Sequence, residues 1–173
     1  MASAGCIIRP EQPDDRAVIH HVHTVAFGRA NEADLVEALR QAGALTISLV
    51  AVKEDRIVGH IAFSPVQITS DTTTRAAIGL GPMAVLPVCQ RQGIGSQLVE
   101  AGLAACCQTD YRIVVVLGHP TYYPRFGFTP AASYGIAWEH AAPEAAFMVK
   151  ALKAGALAQT QGVVTYRPEF NEV

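Results

Sequence analysis

The apolar run Met83-Ala-Val-Leu-Pro-Val88 leads directly into Cys89-Gln-Arg-Gln-Gly93-Ile-Gly95-Ser96 and from there into a stretch with helical periodicity. This is the local plan of an anion cradle. A helix N-terminus leaves its first amide N–H groups without partners and carries the positive end of the macrodipole, so a phosphate placed there is held by backbone rather than by side-chain charge. Gly93 and Gly95 withdraw the Cβ atoms that would block close approach. Two other nucleotide patterns fail on physical grounds. Gly79-Leu-Gly81-Pro-Met-Ala84 fits the dinucleotide string Gly-x-Gly-x-x-Gly/Ala, but the β-prone Val85-Leu-Pro-Val follows it where that chemistry needs a helix. The Gly93 turn has no following Gly-Lys-Ser/Thr, hence no lysine for a γ-phosphate and no hydroxyl for magnesium. His20 and His23 share a helical face, yet without a third ligand they do not make a metal site, and none is expected. Cys89, beside the same helix start, reads as a small loop residue.

These groups need elements to hold them. Cys6 to Arg9 is β-prone, and Pro10, Pro13 and Asp14-Asp15 mark a turn into a helix through His20 to Phe27. Asn31 is placed to cap a second helix, in which Ala33, Leu35, Val36 and Leu39 recur at helical spacing before Gly43. Thr46 to Lys53 and Arg56 to Ile68 are strand-like runs joined by Glu54-Asp55, as in a hairpin. Ala76 to Leu86, after the polar Thr69 to Arg75 loop, is a third antiparallel partner. Gly93 to Gln108 forms the central helix, with Ile94, Leu98, Leu103 and Cys106 facing inward. Arg112 to Leu117 holds consecutive apolar residues, the mark of a strand buried on both faces and parallel to the strand before the helix. Pro120 to Arg125 reads as a short helix ended by Gly127, and strands follow from Phe128, Ala145 to Leu152 and Val163 to Arg167. The 173 residues carry no repeat or linker and read as one domain, 1–173.

Half of the residues are hydrophobic and 16% are charged, enough apolar material for a substantial core. The formal charge of −2, with scattered Arg and Lys, gives no footprint for nucleic acid. No apolar run reaches membrane-spanning length, and Met1 to Pro10 lacks the basic start and apolar core of a signal peptide. Four cysteines, Cys6, Cys89, Cys106 and Cys107, show no disulfide framework, which fits a reducing compartment. The expected location is the cytoplasm, without membrane association, and a homodimer is left open.

The string Gln90-x-x-Gly93-x-Gly95, followed by Tyr122-Tyr-Pro-Arg-Phe-Gly-Phe128, resembles the paired signatures of the GNAT superfamily of N-acetyltransferases, and the doubled tyrosine with Arg125-Phe-Gly-Phe is most similar to its bacterial YhbS-like group. The resemblance implies an α/β GNAT fold: a mixed, mostly antiparallel sheet with a splayed parallel strand pair and flanking helices. It implies acetyl-coenzyme A (acetyl-CoA) as co-substrate and a small-molecule or peptide amine as acceptor, attacked directly. Carried over to this sequence, the main chain of Met83, Ala84 and Val85 pairs with the pantetheine arm, and the backbone of Gln90, Arg91, Gln92, Gly93, Ile94, Gly95 and Ser96 holds the pyrophosphate. Pro120 stands where many members have an Asn that touches the cofactor, so that contact is not expected.

By the same resemblance Tyr123 is the general acid, since a phenol of pKa ~10 can protonate a departing thiolate, with Tyr122 next to it as the second choice. A general base must take the proton of the amine. Glu32, in the region that forms the acceptor side in this family, His119 after the fifth strand, the His20-His21-x-His23 group and an ordered water are the alternatives. A rival of another class is a non-catalytic acyl-CoA-binding sensor or interaction module that keeps the cradle without the acid and base. An O-acetyl or longer-acyl transferase is a second enzymatic rival.

Overall fold

The computed structural model describes residues 5–172, so Met1 to Ala4 of the N-terminal reading lie outside the described residues. Nine strands and three α-helices follow in the order β1 (Ile7–Pro10), α1 (Arg16–Phe27), α2 (Asn31–Gln41), β2 (Ile47–Lys53), β3 (Arg56–Thr69), β4 (Thr74–Val85), α3 (Ile94–Cys107), β5 (Ile113–Leu117), β6 (Thr129–Pro130), β7 (Ile136–Trp138), β8 (Phe147–Ala151) and β9 (Gly162–Thr165). The strands form one mixed sheet ordered β1-β2-β3-β4-β5-β8-β6, with β9 on β3 and β7 on β9. The described residues divide into two compact units, one of residues 5–63, 81–102 and 168–172 and the other of 64–80 and 103–167, and β3, β4 and α3 run from one into the other.

In the first unit β1, β2 and β3 are antiparallel. Glu54 and Asp55 both take left-handed backbone (φ 50° and 58°), which matches the twist of a two-residue hairpin. Helix α1 buries Ile19, Val22 and His23, and Ile19 packs with Val36 of α2 and Val50 of β2. Each such aliphatic side chain contributes roughly 1.5–3 kcal/mol when fully buried. Ile94, Leu98 and Val99 put one face of α3 into the core. Gly102 lets that helix approach the sheet, because a Cβ there would meet Cε2 of Phe63 at 2.4 Å.

The second unit holds the parallel pair. β4 and β5 run in register from Ile78↔Val114 to Leu80↔Val116, and β8 is antiparallel on the far side of β5. Ile113 to Val116 are all buried, as expected for a strand covered on both faces. The core of this unit gathers Val66, Ile68, Val115, Phe147, Val149 and Val164.

Several expectations are corrected. Asn31 is the first residue inside α2 rather than its cap; Ala30 takes the cap position, and its carbonyl receives the Asp34 N–H at 2.8 Å. The short helix expected at Pro120 to Arg125 is a 3-10 turn at Tyr123–Phe126, closed by Gly127 at φ 90°. Pro120 has no N–H to donate and favours an extended residue before it, so the helical turn starts later. Ala145 and Ala146 belong to a 3-10 turn ahead of β8, and the parallel pairing of β7 with β9 had no signal in the short, mixed Ile136–Trp138 segment.

Candidate active site

Beyond Val85 the chain makes a 3-10 turn at Pro87–Cys89, extends at Gln90, turns left-handed at Arg91 (φ 60°) and Gly93 (φ 81°), and enters α3 at Ile94. A left-handed arginine is uncommon and costs of order 1–3 kcal/mol, the type of local strain that concentrates at binding sites. The loop is fastened at both ends. Leu86 N–H donates to Val58 O at 2.8 Å, and Gln90 Nε2 donates to Val85 O at 2.9 Å. Gln92 Nε2 donates to Val88 O at 3.2 Å, while Gln92 Oε1 accepts from Lys53 Nζ at 2.7 Å.

Gln97 is the residue whose N–H begins the α3 ladder, reaching Gly93 O at 3.1 Å. The amides ahead of it, up to Ser96, have no i−4 carbonyl in helical position and lie at the positive end of α3. A Cβ built on Gly93 would stand in open space, with no atom within 4 Å. Backbone donors without i−4 partners, open space at Gly93 and a left-handed turn suit a pyrophosphate, and coenzyme A fits this cradle on those grounds. Ala84 and Val85 are buried and Met83 half-buried, so their side chains fill core while the main chain is what they offer a ligand. Gly79 to Ala84 lies wholly within β4, which removes the dinucleotide reading.

Tyr123 lies in the second unit, 7% exposed, with its ring against Phe128 (5.7 Å) and Tyr122 (5.1 Å). Burial, and secondarily the Tyr122 phenol, push its pKa up to about 12, so it holds its proton at neutral pH. A Cβ on Gly118 would come within 2.3 Å of Tyr123 Cε2. The tyrosine therefore lies across a glycine whose role sequence reasoning missed. His119, exposed, joins this turn through its carbonyl, which receives Tyr122 N–H at 3.0 Å and Tyr123 N–H at 3.4 Å.

Glu32 opens α2 in the first unit. Arg29 Nε donates to both of its carboxylate oxygens at 3.2 Å, and that hydrogen bond holds its pKa below the usual carboxylate range against the raising effect of burial. The early histidines separate. His20 is exposed and meets Asp34 at 3.1 Å, whereas His23 is fully buried against His60 at 2.8 Å. The two have different partners, and among the described residues no three His, Cys, Asp or Glu side chains are grouped to hold a metal.

The sequence profile of the "Acetyltransferase (GNAT) domain" matches residues 7–131. The chain belongs to the GNAT acetyltransferase family. It is 37% identical over 166 residues to the "uncharacterized N-acetyltransferase YhbS" of Escherichia coli strain K12, covering 95% of this chain and 98% of that one. Among solved structures, the GNAT protein YhbS from Escherichia coli in complex with CoA superimposes with TM-score 0.90 at 36% identity, over 96% of this chain and 92% of that chain. A GNAT acetyltransferase from Brucella melitensis in complex with acetyl-CoA superimposes with TM-score 0.79 at 37% identity, over 96% and 99%. The GNAT fold and an acyltransferase class follow from these matches. No helix among the described residues is long and apolar enough to cross a membrane.

Proposed function

We infer that this GNAT enzyme transfers an acetyl group from acetyl-CoA to a primary amine of a small molecule or peptide, by direct attack with both substrates bound. The observation that carries the reading is the run of amides from Arg91 to Ser96 ahead of the first ladder bond of α3, beside an open Gly93, in a chain 37% identical to a relative crystallised with acetyl-CoA. When bound, acetyl-CoA supplies an acyl group already activated as a thioester. The backbone of Gln90 to Ser96 holds its pyrophosphate, and the main chain of Met83 to Val85 receives the pantetheine arm. Because Val85 O is already engaged by Gln90, Val85 contributes through its N–H. A backbone N–H there also steadies the negative charge that develops on the thioester oxygen.

Tyr123 serves as the general acid, its buried phenol fully protonated at neutral pH. Among the base alternatives, Glu32 is weakened as a base by Arg29, His20, His21 and His119 are exposed to solvent, and His23 is buried. The unpaired thiols of Cys6, Cys89, Cys106 and Cys107 support a reducing, cytoplasmic setting. The test is a turnover screen with acetyl-CoA against amino acids, polyamines, aminoglycosides and peptides. Acetylation of an amine in any class supports the reading. Coenzyme A binding with no turnover across the panel favours the sensor instead.

A further inference from the structure

The second unit carries an open cavity of about 280 Å³, lined by Ile136, Trp138, His140, Glu144, Phe147 and four alanines, so that neither Tyr123 nor any residue of the cradle forms part of its wall. The sheet fixes two of those walls. Trp138 closes β7, where it pairs with Val164 of β9, and the next residue, Glu139, donates its N–H to Val164 O at 3.1 Å. Phe147 opens β8 opposite Leu117 of β5 and is buried. The Trp138 ring stacks with Phe147 (6.3 Å between centroids, 26° between planes) and meets the His140 ring edge to face at 5.1 Å and 86°. Two perpendicular rings make a corner, and the alanines around it are too small to fill the hollow that it leaves.

The charge at this hollow is unanswered. Glu144 lines the cavity and is exposed, and among the described residues no hydrogen bond or ion pair engages its carboxylate. The other carboxylate of the segment, Glu139, accepts the Tyr166 N–H at 3.2 Å and lies 3.9 Å from His140 Nε2. No lysine or arginine lines the cavity, and His140 is its one basic group. An anion would meet Glu144 and the negative faces of the rings, and a neutral apolar molecule would leave the carboxylate unpaired. A cation with an apolar body answers both, since aromatic faces attract cations and the alanine lining takes hydrocarbon. The volume lies near the lower end of the ~300–1,000 Å³ typical of ligand sites, which selects a small ligand.

We propose that this cavity binds a small arylalkylammonium ion, with its apolar body against Trp138 and Phe147 and its ammonium at the carboxylate of Glu144. Binding here needs neither acetyl-CoA nor Tyr123, so the site goes beyond the acetyltransferase reading and does not rest on it.

Trp138 is the only tryptophan of the chain, so its fluorescence reports on the cavity directly. The full chain, without acetyl-CoA, is titrated with 2-phenylethylamine, with the neutral isostere 2-phenylethanol and with the anion 3-phenylpropionate, at a mildly alkaline pH where histidine is neutral and the amine still charged. The amine should give a saturable change and bind about 10-fold more tightly than the alcohol, the scale of one partly desolvated cation contact, and the anion should bind most weakly. Glu144→Gln, at an exposed position, should bring amine and alcohol to within about 2-fold of each other by removing that contact. In amide nitrogen-15 NMR the amine should shift Ala137, Trp138 and Ala141 most and leave 91–96 unmoved. Equal affinity for amine and alcohol, preference for the anion, no saturable change, an amine preference that survives Glu144→Gln, or shifts centred away from the cavity would each overturn the proposal. A chain that binds 2-phenylethylamine here and acetylates no amine keeps this site and loses the acetyltransferase reading, and the converse result does the reverse.

Discussion

Gln90 folds its side-chain amide back onto Val85, 2.9 Å from Nε2 to the carbonyl oxygen, and so ties the cradle loop to the end of the strand that precedes it. The residue acts through the loop's position. A net hydrogen bond contributes about 0.5–1.5 kcal/mol, so Gln90→Ala should weaken coenzyme A binding by about 3–10-fold with little loss of stability. Titration calorimetry checks this, and unchanged affinity would show that the loop holds its shape without the tie.

Gly93 sits at φ 81° with open space where a side chain would go. Gly93→Glu places a carboxylate beside the amides at the start of α3, and affinity for coenzyme A should fall by at least about 10²-fold, since the anion competes for the same helix terminus. The left-handed backbone adds a stability cost of about 1–2 kcal/mol, to be read from urea denaturation. A folded variant with unchanged affinity would place the pyrophosphate elsewhere.

Tyr123→Phe removes a hydroxyl and little volume. If Tyr123 is the general acid we propose, kcat should fall about 10²–10⁴-fold at nearly constant affinity for acetyl-CoA. Loss of activity in Tyr122→Phe with Tyr123→Phe unaffected would move the role by one residue. Because the ring lies across Gly118, Gly118→Ala should displace it and cost about 1–3 kcal/mol of stability.

The buried histidines give stability a pH dependence of known sign. His23 is pushed by burial from 6.5 down to about 4, and His60 is lowered as well, by burial first and then by His23 and Arg40. Between these values the unfolded chain binds protons that the folded one refuses, so stability is complete above pH 6.5 and falls as pH drops toward 4. His23 alone accounts for a loss of about 3 kcal/mol over that window, at 1.36 kcal/mol per pKa unit. Urea melts from pH 7 to 4.5 should show the decline, and His23→Leu combined with His60→Leu should flatten it. The carboxylates of Glu11 and Asp15, both lowered in the fold, lose their contribution only at more acid pH.

How much was legible in the chain depended on how local the cause was. Ile94, Leu98, Leu103 and Cys106 recur at helical spacing and are all buried, and the amides of the cradle are a consequence of where that helix starts. Tyr123 was singled out by resemblance, from its place four residues before Gly127. Gly118 was not, because only the folded turn brings its Cα under the tyrosine ring. The partnership of His23 with His60 was equally hidden, although His23 itself stood among the base alternatives: the two are 37 positions apart, and a lone histidine in a strand carries no pattern. Asn31 misled because a good capping residue stood one position inside the helix, where Ala30 already supplied the first carbonyl.

The most direct test of the cradle is an amide nitrogen-15 NMR titration of the full chain with coenzyme A. The resonances of Arg91 to Ser96 should shift most, followed by those of Met83 to Val85, in a saturable manner that Gly93→Glu abolishes. Saturable binding that leaves the 91–96 amides unmoved, or no binding at all, would contradict an acetyltransferase that holds its donor at the start of α3.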